Sequence, residues 1–486
     1  MTFVSEFDPR ALWSHFDRIL TIPRASGNEE GMRRYVLEVA KRAGCAAQSD
    51  PTGNIVVRKP ASPGAEQATT VILQSHLDMV PERRPDVAHD FARDPIVPRQ
   101  EGEYLYATGT TLGADNGIGV ATMLAILEDP AAVHPPLEML FTLDEERGLH
   151  GAAGLDGSML RGKVLLNLDS EEEGILYVGC AGGGDSVLTL PLRQVPLQDA
   201  RGALQVEISG LRGGHSGMDI VLQRGNALQI LARLLLAGEA AIGGLAIAAI
   251  EGGGARNAIP RDAAATVVLP PGKHELFATA LQAEFAAVQH ELRRSDPDVR
   301  MRLVAGAEVT TAWGGDAAHR VLRLLLALPH GVLAMSLDLP GLVETSSNVA
   351  VARAEEGKFV IVTNQRSSIA SSLEAARARV RAIAALADAA IAQPPAYPAW
   401  QPDLESPLLA TVRAVYLERE GRDADVRAVH AGLECGIIGE KVPGLDMISF
   451  GPQIECPHSP DERTHVPSVG RFYDLLLATL RTLATG

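Results

Sequence analysis

The chain has 486 residues, roughly three times a ~150-residue domain, so more than one domain and a large buried core are expected. Its 44 Lys and Arg stand against 60 Asp and Glu, a net charge of −16 with no basic cluster. That balance repels phosphate backbones and anionic lipid, so no nucleic-acid partner and no membrane partner are expected, and 46% apolar residues mark a folding composition.

Four cysteines, Cys45, Cys180, Cys435 and Cys456, lie far apart without a CxxC pair, which argues against a disulfide framework and against a thiolate zinc site. The first residues, MTFVSEFDPRALWSHF, carry acids where a signal peptide has a basic stretch. The longest uncharged run of apolar residues and glycine, 240–250, has eleven residues against the ~20 that span a bilayer. A cytoplasmic location is expected.

In chain order, Ser26 to Cys45 reads as a capped amphipathic helix, and TTVILQS (69–75), LEMLFTL (137–143) and KVLLNL (163–168) read as buried strands. Alternating helices and strands predict an α/β fold, a mostly parallel-sheet catalytic domain with helices on both faces. After GCAGGGD (179–185) the pattern changes to strand pairs and long Ala/Leu helices, and the Pro-rich QPPAYPAW (393–400) ends that stretch. The expected domains are 1–185, the first part of the catalytic domain; 186–394, an inserted α+β lid; and 395–486, the second part. Two similar successions within the insert, strand, GLRGGHSG, helix, strand and strand, TTAWGGDAAH, helix, strands, suggest an internal duplication.

Each of the three early strands runs into charged or imidazole side chains: HLD after the first, DEE after the second and DSEEE after the third. Open α/β sheets bind ligands beyond the carboxyl ends of their strands, so these groups should converge. The candidate donors are His76, Asp78, Asp115, Glu145, Glu146, Asp169 and His458. Two imidazoles and several carboxylates without a thiolate suit Zn²⁺, with Mn²⁺ or Co²⁺ as alternatives. His76 and Asp78, two apart, share a strand face, so Asp78 is placed to orient the imidazole. Glu145 and Glu146 are adjacent and diverge, so one can bind metal while the other moves a proton. Taken singly, a strand-terminal HxD or a pair of glutamates reads as a solvated feature, Asp115 reads as the cap of the helix NGIGVATMLAILED, and His215 and Arg366 read as surface groups. Their joint occurrence is what points to a site.

In this order, HLDMV, LGADNGIG, TLDEERGLHGA, NLDSEEEG, GLRGGHSG, ARNAIPR, TNQRSS, HAGLECG and CPHSPDE resemble the aminoacyl-histidine dipeptidases, also called cytosol non-specific dipeptidases, within the co-catalytic zinc aminoacylase and carboxypeptidase-like metallopeptidases. The resemblance spans nearly the whole chain. It implies two divalent ions, with Asp115 bridging, His76 and Asp169 completing one site, and Glu146 and His458 the other. It further implies Asp78 as the group that orients His76, Glu145 as general base, His215 as the stabiliser of the tetrahedral oxyanion, and Asn257 and Arg366 as binders of the substrate carboxylate. Glu434 is placed loosely near the substrate's amino end. The implied activity is hydrolysis of unblocked dipeptides, including Xaa-His types such as β-alanyl-histidine. The alternatives are an N-acyl-amino-acid amidohydrolase and a non-catalytic binding protein, and homodimerisation stays open.

Overall fold

The apolar runs that precede HLD and DEE form strands Val71–His76 and Leu137–Thr142, buried at every position, as strands covered on both faces must be. A computed structural model describes residues 2–485, apart from the side chains of 198–202. The chain divides into two units: Met1–Cys180 with Trp400–Ala428 and Leu433–Gly486, and Ala181–Ala399 with Val429–Gly432.

The first unit is built on an eight-stranded sheet in the order Ala46–Ser49, Ile55–Lys59, Leu137–Thr142, Val71–His76, Val164–Asn167, Asp446–Ser449, Ile175–Cys180, Asp425–Val429. Its centre is parallel: Val71–His76 pairs in parallel with both Leu137–Thr142 and Val164–Asn167, and Val164–Asn167 with Asp446–Ser449. Antiparallel strands Ile55–Lys59 and Ile175–Cys180 flank this centre.

The helix expected over 26–45 forms only over Glu30–Arg42. Ser26 donates its hydroxyl to Asp78 at 2.7 Å, and Glu29 accepts the N–H of Gly27 at 2.7 Å. The residues that read as a helix start are therefore held as a turn. Helix Ala114–Glu128 is apolar all round and packs against helix Arg10–Ile19 and strand Val71–His76. Asp115 and Asn116 have non-helical backbone angles, and Asp115 makes no capping bond, so the capping role expected from its position is not the one it plays.

The second unit carries a nine-stranded sheet. Its main path runs Arg300–Ala312, Val195–Ser209, Ala263–Val268, Ala246–Gly252, Val343–Glu355, Lys358–Ser367, Gly182–Pro191, Ala390–Ala392, with Gly331–Met335 also paired to Val343–Glu355. Helices Ala227–Ile242, His274–Glu291 and Asp316–Ala327 supply Leu231, Leu235, Phe277, Leu281, Val321 and Leu325 to one core with Trp313 and Phe359. A strand, a helix, further strands and a second helix occur in each half, but the halves are not equivalent. Arg300–Ala312, which opens the second, pairs with Val195–Ser209, while Gly182–Pro191 lies beside Lys358–Ser367.

The expected cut at 185/186 falls inside Gly182–Pro191, whose pairing with Lys358–Ser367 starts at Gly182, so the unit begins at Ala181 instead. At the other end, Tyr397 bridges Gly183 and keeps the residues beyond 394 with this unit. Val429–Gly432 also belongs to it, because the N–H of Ala181 bonds the carbonyls of Val429 and Ala431. Among the described residues, no helix is long and apolar enough to cross a membrane.

Gly119 is where helix Ala114–Glu128 touches its neighbours most closely: a Cβ there would meet Asn116 Oδ1, Ser75 Oγ and, at 2.8 Å, the backbone oxygen of Leu168. Gly119→Ala should therefore destabilise the protein by about 1–3 kcal/mol, the usual cost of overfilling a packed site, despite alanine's better helix propensity. Urea denaturation checks this; an unchanged or raised midpoint would contradict the close approach.

Candidate metal centre

The three parallel strands deliver their following residues to one edge of the sheet. His76 ends its strand, Asp78 lies two residues on, Glu145 and Glu146 follow Leu137–Thr142, and Asp169 follows Val164–Asn167. Asp115 enters from the non-helical start of Ala114–Glu128, and His458 from the turn after Ile454–Glu455, in the left-handed backbone region at φ 57°.

All of these residues meet. His76 Nε2 lies 3.0 Å from Asp115 Oδ1 and 3.2 Å from Asp169 Oδ1, and His458 Nε2 lies 3.2 Å from Asp115 Oδ2 and 3.0 Å from Glu146 Oε2. His76, Asp115 and Asp169 thus form one donor set and Asp115, Glu146 and His458 a second, with potential ligand atoms in each set within 4.8 Å of one another. Asp115 belongs to both, one oxygen facing each. Glu145 joins His76 and Glu146 in a third such grouping.

Asp78 is fully buried, with Oδ1 3.2 Å from His76 Nδ1. It also accepts the backbone N–H of Glu145 at 3.1 Å and of Glu146 at 3.3 Å, so it holds the turn that carries both glutamates. Although burial favours its neutral form, the bonds from His76 and Ser26 and the N–H of Glu145 outweigh it and keep the carboxyl below the usual range.

The donor set fits divalent cations. Among the described residues, the ion-pair partners of Asp115, Asp169 and Glu146 are the two histidines alone, and Glu146 Oε1 is buried without a hydrogen bond. The carboxylates pull the imidazoles toward protonation. Hydrogen bonds to Asp115 and Glu146 push His458 up to about 11, and for His76 the surrounding acids overcome a burial effect of opposite sign. Burial pushes Glu145 well above the ordinary carboxylate range, and neighbouring Asp169, Glu146 and Glu434 add to it. A cation of higher charge would balance these acids better than a proton does.

In the second unit, His215 ends the two-residue strand Gly214–His215, paired to Ala258–Ile259. Its Nδ1 accepts the N–H of Gly217 at 3.2 Å and of Met218 at 3.0 Å, which leaves the ring proton on Nε2. Burial, then the charge of Arg366, lower its pKa, so the ring is a neutral donor. Arg366 is 6% exposed, donates to the Tyr397 hydroxyl at 2.7 Å and to Ser216 Oγ at 3.4 Å, and has no carboxylate in ion-pair range among the described residues; its Nε is buried without a hydrogen bond. Asn257 is exposed, and its carbonyl accepts the N–H of Ser216 at 2.8 Å. Among the described residues its side chain forms no hydrogen bond with Arg366.

Sequence reading missed three supporting groups, Asn116, Glu171 and His430, and placed a fourth, Glu434, only at the substrate's amino end. Asn116 donates to Asp169, and Glu171, two residues beyond it, is pushed up to about 9 by burial and the charges of Asp115 and Asp169. Glu434 is buried, accepts from Gln74 at 2.6 Å and Thr142 at 2.7 Å, and is pushed up to about 7 by burial. His430, in the second unit, bonds Ser346 at 2.7 Å, and burial and then Arg366 push it down to about 3. Asn116, Glu171, Glu434 and His430 all sit inside motifs already singled out, but only the fold shows what each one touches.

The chain is 40% identical over 483 residues to the cytosol non-specific dipeptidase of Escherichia coli (strain K12), covering 99% of both chains. It is similar to the crystal structure of aminoacylhistidine dipeptidase from Vibrio alginolyticus, with TM-score 0.91 and 40% identity over 99% of this chain and 98% of the other. A tripeptidase from Staphylococcus aureus shares the fold alone, with TM-score 0.62 and 14% identity over 99% of this chain and 100% of that one. The model of peptidase family M20/M25/M40 matches residues 72–482, and the chain belongs to that family.

Proposed function

We propose that the chain is a cytoplasmic di-metal exopeptidase that hydrolyses unblocked dipeptides, Xaa-His types such as β-alanyl-histidine included. The observation that carries this reading is Asp115, whose two oxygens face separate donor sets. His76 and Asp169 would complete one cation site, and Glu146 and His458 the other. Zinc is the proposed ion, ahead of manganese and cobalt. Such ions supply Lewis acidity when bound, polarising the scissile carbonyl and making a water easier to deprotonate.

The remaining chemistry belongs to the chain. Asp78 fixes the His76 ring and, through two peptide N–H groups, holds the turn that carries Glu145 and Glu146. Glu145 has a proton affinity raised by burial, which suits a base that takes the proton of water and returns it to the leaving amine. His215, neutral and protonated on Nε2, donates toward the carbonyl oxygen as charge builds on it. Arg366, buried with no acidic partner among the described residues, binds the substrate's carboxylate, with Asn257 as a neutral neighbour. The names of the 40% identical relatives support the dipeptide as substrate.

Chelation should abolish release of amino acids from an unblocked dipeptide and lower the melting temperature, and added zinc should restore both. Full activity in protein shown by metal analysis to hold no ion would overturn the reading. Parallel assays with the N-acetyl analogue should show little hydrolysis; a preference for that analogue would make the chain an N-acyl-amino-acid amidohydrolase instead.

Replacing Glu145 by Gln keeps shape and removes basicity, so kcat should fall at least ~10²-fold with metal content unchanged. Glu146→Gln should lower metal content. Equal metal loss in the two variants would show the roles to be misassigned.

Arg366→Ala leaves a substrate carboxylate unpaired, at a cost of about 2–5 kcal/mol in kcat/KM for free-acid dipeptides. Dipeptide amides, which lack that charge, should lose much less. An equal loss for both substrates would remove Arg366 as the anchor.

A further inference from the structure

Two buried charges of opposite sign grip the loop that presents Asp115. The carboxylate of Glu462, 2% exposed, accepts four consecutive backbone N–H groups: Leu112 at 2.7 Å and Gly113 at 2.8 Å on Oε2, Ala114 at 2.7 Å and Asp115 at 3.3 Å on Oε1. The guanidinium of Arg24, 3% exposed, donates to the carbonyls of Leu77 at 3.1 Å, Asp78 at 2.6 Å and Gly113. Gly113 is therefore held from both sides, its N–H by the acid and its C=O by the base. It sits in the left-handed region at φ 69°, and a Cβ there would strike Arg24 and the Met79 sulfur, so the first glycine of LGADNGIG is required by the grip itself.

The same two residues reach the neighbouring donors. Arg24 bonds the two residues that follow His76, and Glu462 stands four residues after His458. Asp115 must aim one oxygen at each donor set, and small rotations of its loop would unbalance them. We propose that Arg24 and Glu462 are positioning residues that lock the Asp115 carboxylate where it serves two ions at once. This inference rests on the two-ion reading above.

Apoprotein is titrated with zinc by calorimetry, and the cobalt-substituted protein is followed by its visible absorption. Wild type should bind two ions; failure to do so would overturn the two-ion reading itself. Glu462→Gln removes the charge and turns an amide NH₂ toward backbone N–H groups. It should weaken binding of at least one ion about 10–100-fold and shift the cobalt spectrum. Arg24→Lys keeps the charge but loses the fork, and should act in the same direction; it carries the test should the first variant not fold. Glu138→Gln is the control. This buried carboxylate accepts the N–H of Arg161 and Gly162 in the same unit, and its loss should lower stability while leaving zinc affinity unchanged. If wild type binds two ions while Glu462→Gln and Arg24→Lys keep its affinity and spectrum, the brace is overturned, whatever their melting temperatures.

Discussion

The first unit is organised around buried negative charge that its own cations do not neutralise. Asp78, Asp115, Glu145, Glu146 and Asp169 meet at the ends of three strands with two imidazoles among them. Gathering ionised groups away from water costs several kcal/mol each unless they are paired or hydrogen-bonded. The chain answers with peptide N–H groups where it can: two on Asp78, four on Glu462. Those bonds fix geometry, and the leftover charge, concentrated on Asp115, Asp169 and Glu146, is what gives the cluster its demand for a cation.

The second unit shows the opposite imbalance. Among the described residues Arg366 is buried without an acid in ion-pair range, and the two nearby imidazoles, His215 and His430, are held neutral by burial and by that guanidinium. Bonded only to the Tyr397 and Ser216 hydroxyls, that guanidinium keeps a charge that an anion would balance. The chemical division is clear: one unit concentrates acids, the other leaves a base unanswered.

Much of this was legible in the sequence because parallel strands are short, apolar and end where chemistry begins. HLD, DEE and NLD each follow such a run, and motif order alone named the family that the comparisons show. What stayed hidden depends on backbone groups, which carry no letter in a sequence. Ser26 looked like a helix cap, yet its hydroxyl belongs to Asp78, fifty-two positions away. Asp115 looked like a cap too, but its oxygens point to two histidines. Arg24 stood in no motif; its three partners are carbonyls, and only the crowding at Gly113 and Gly117 records its presence in the sequence. The unit boundary at Ala181 was likewise set by strand pairing, which composition does not report.

The first unit is also discontinuous: strand Asp446–Ser449 and His458 close it only after the whole of 181–399 has intervened. Chains are made from the N-terminus, and domains fold as their residues emerge. During synthesis His76, Asp115 and Asp169 are therefore present before His458 and Glu462 exist, with the central sheet missing the strand that pairs beside Val164–Asn167. The nascent protein passes through a stage in which one donor set has all its residues and the other lacks its imidazole. The order in which the ribosome delivers these segments thus separates the two halves of the cluster in time.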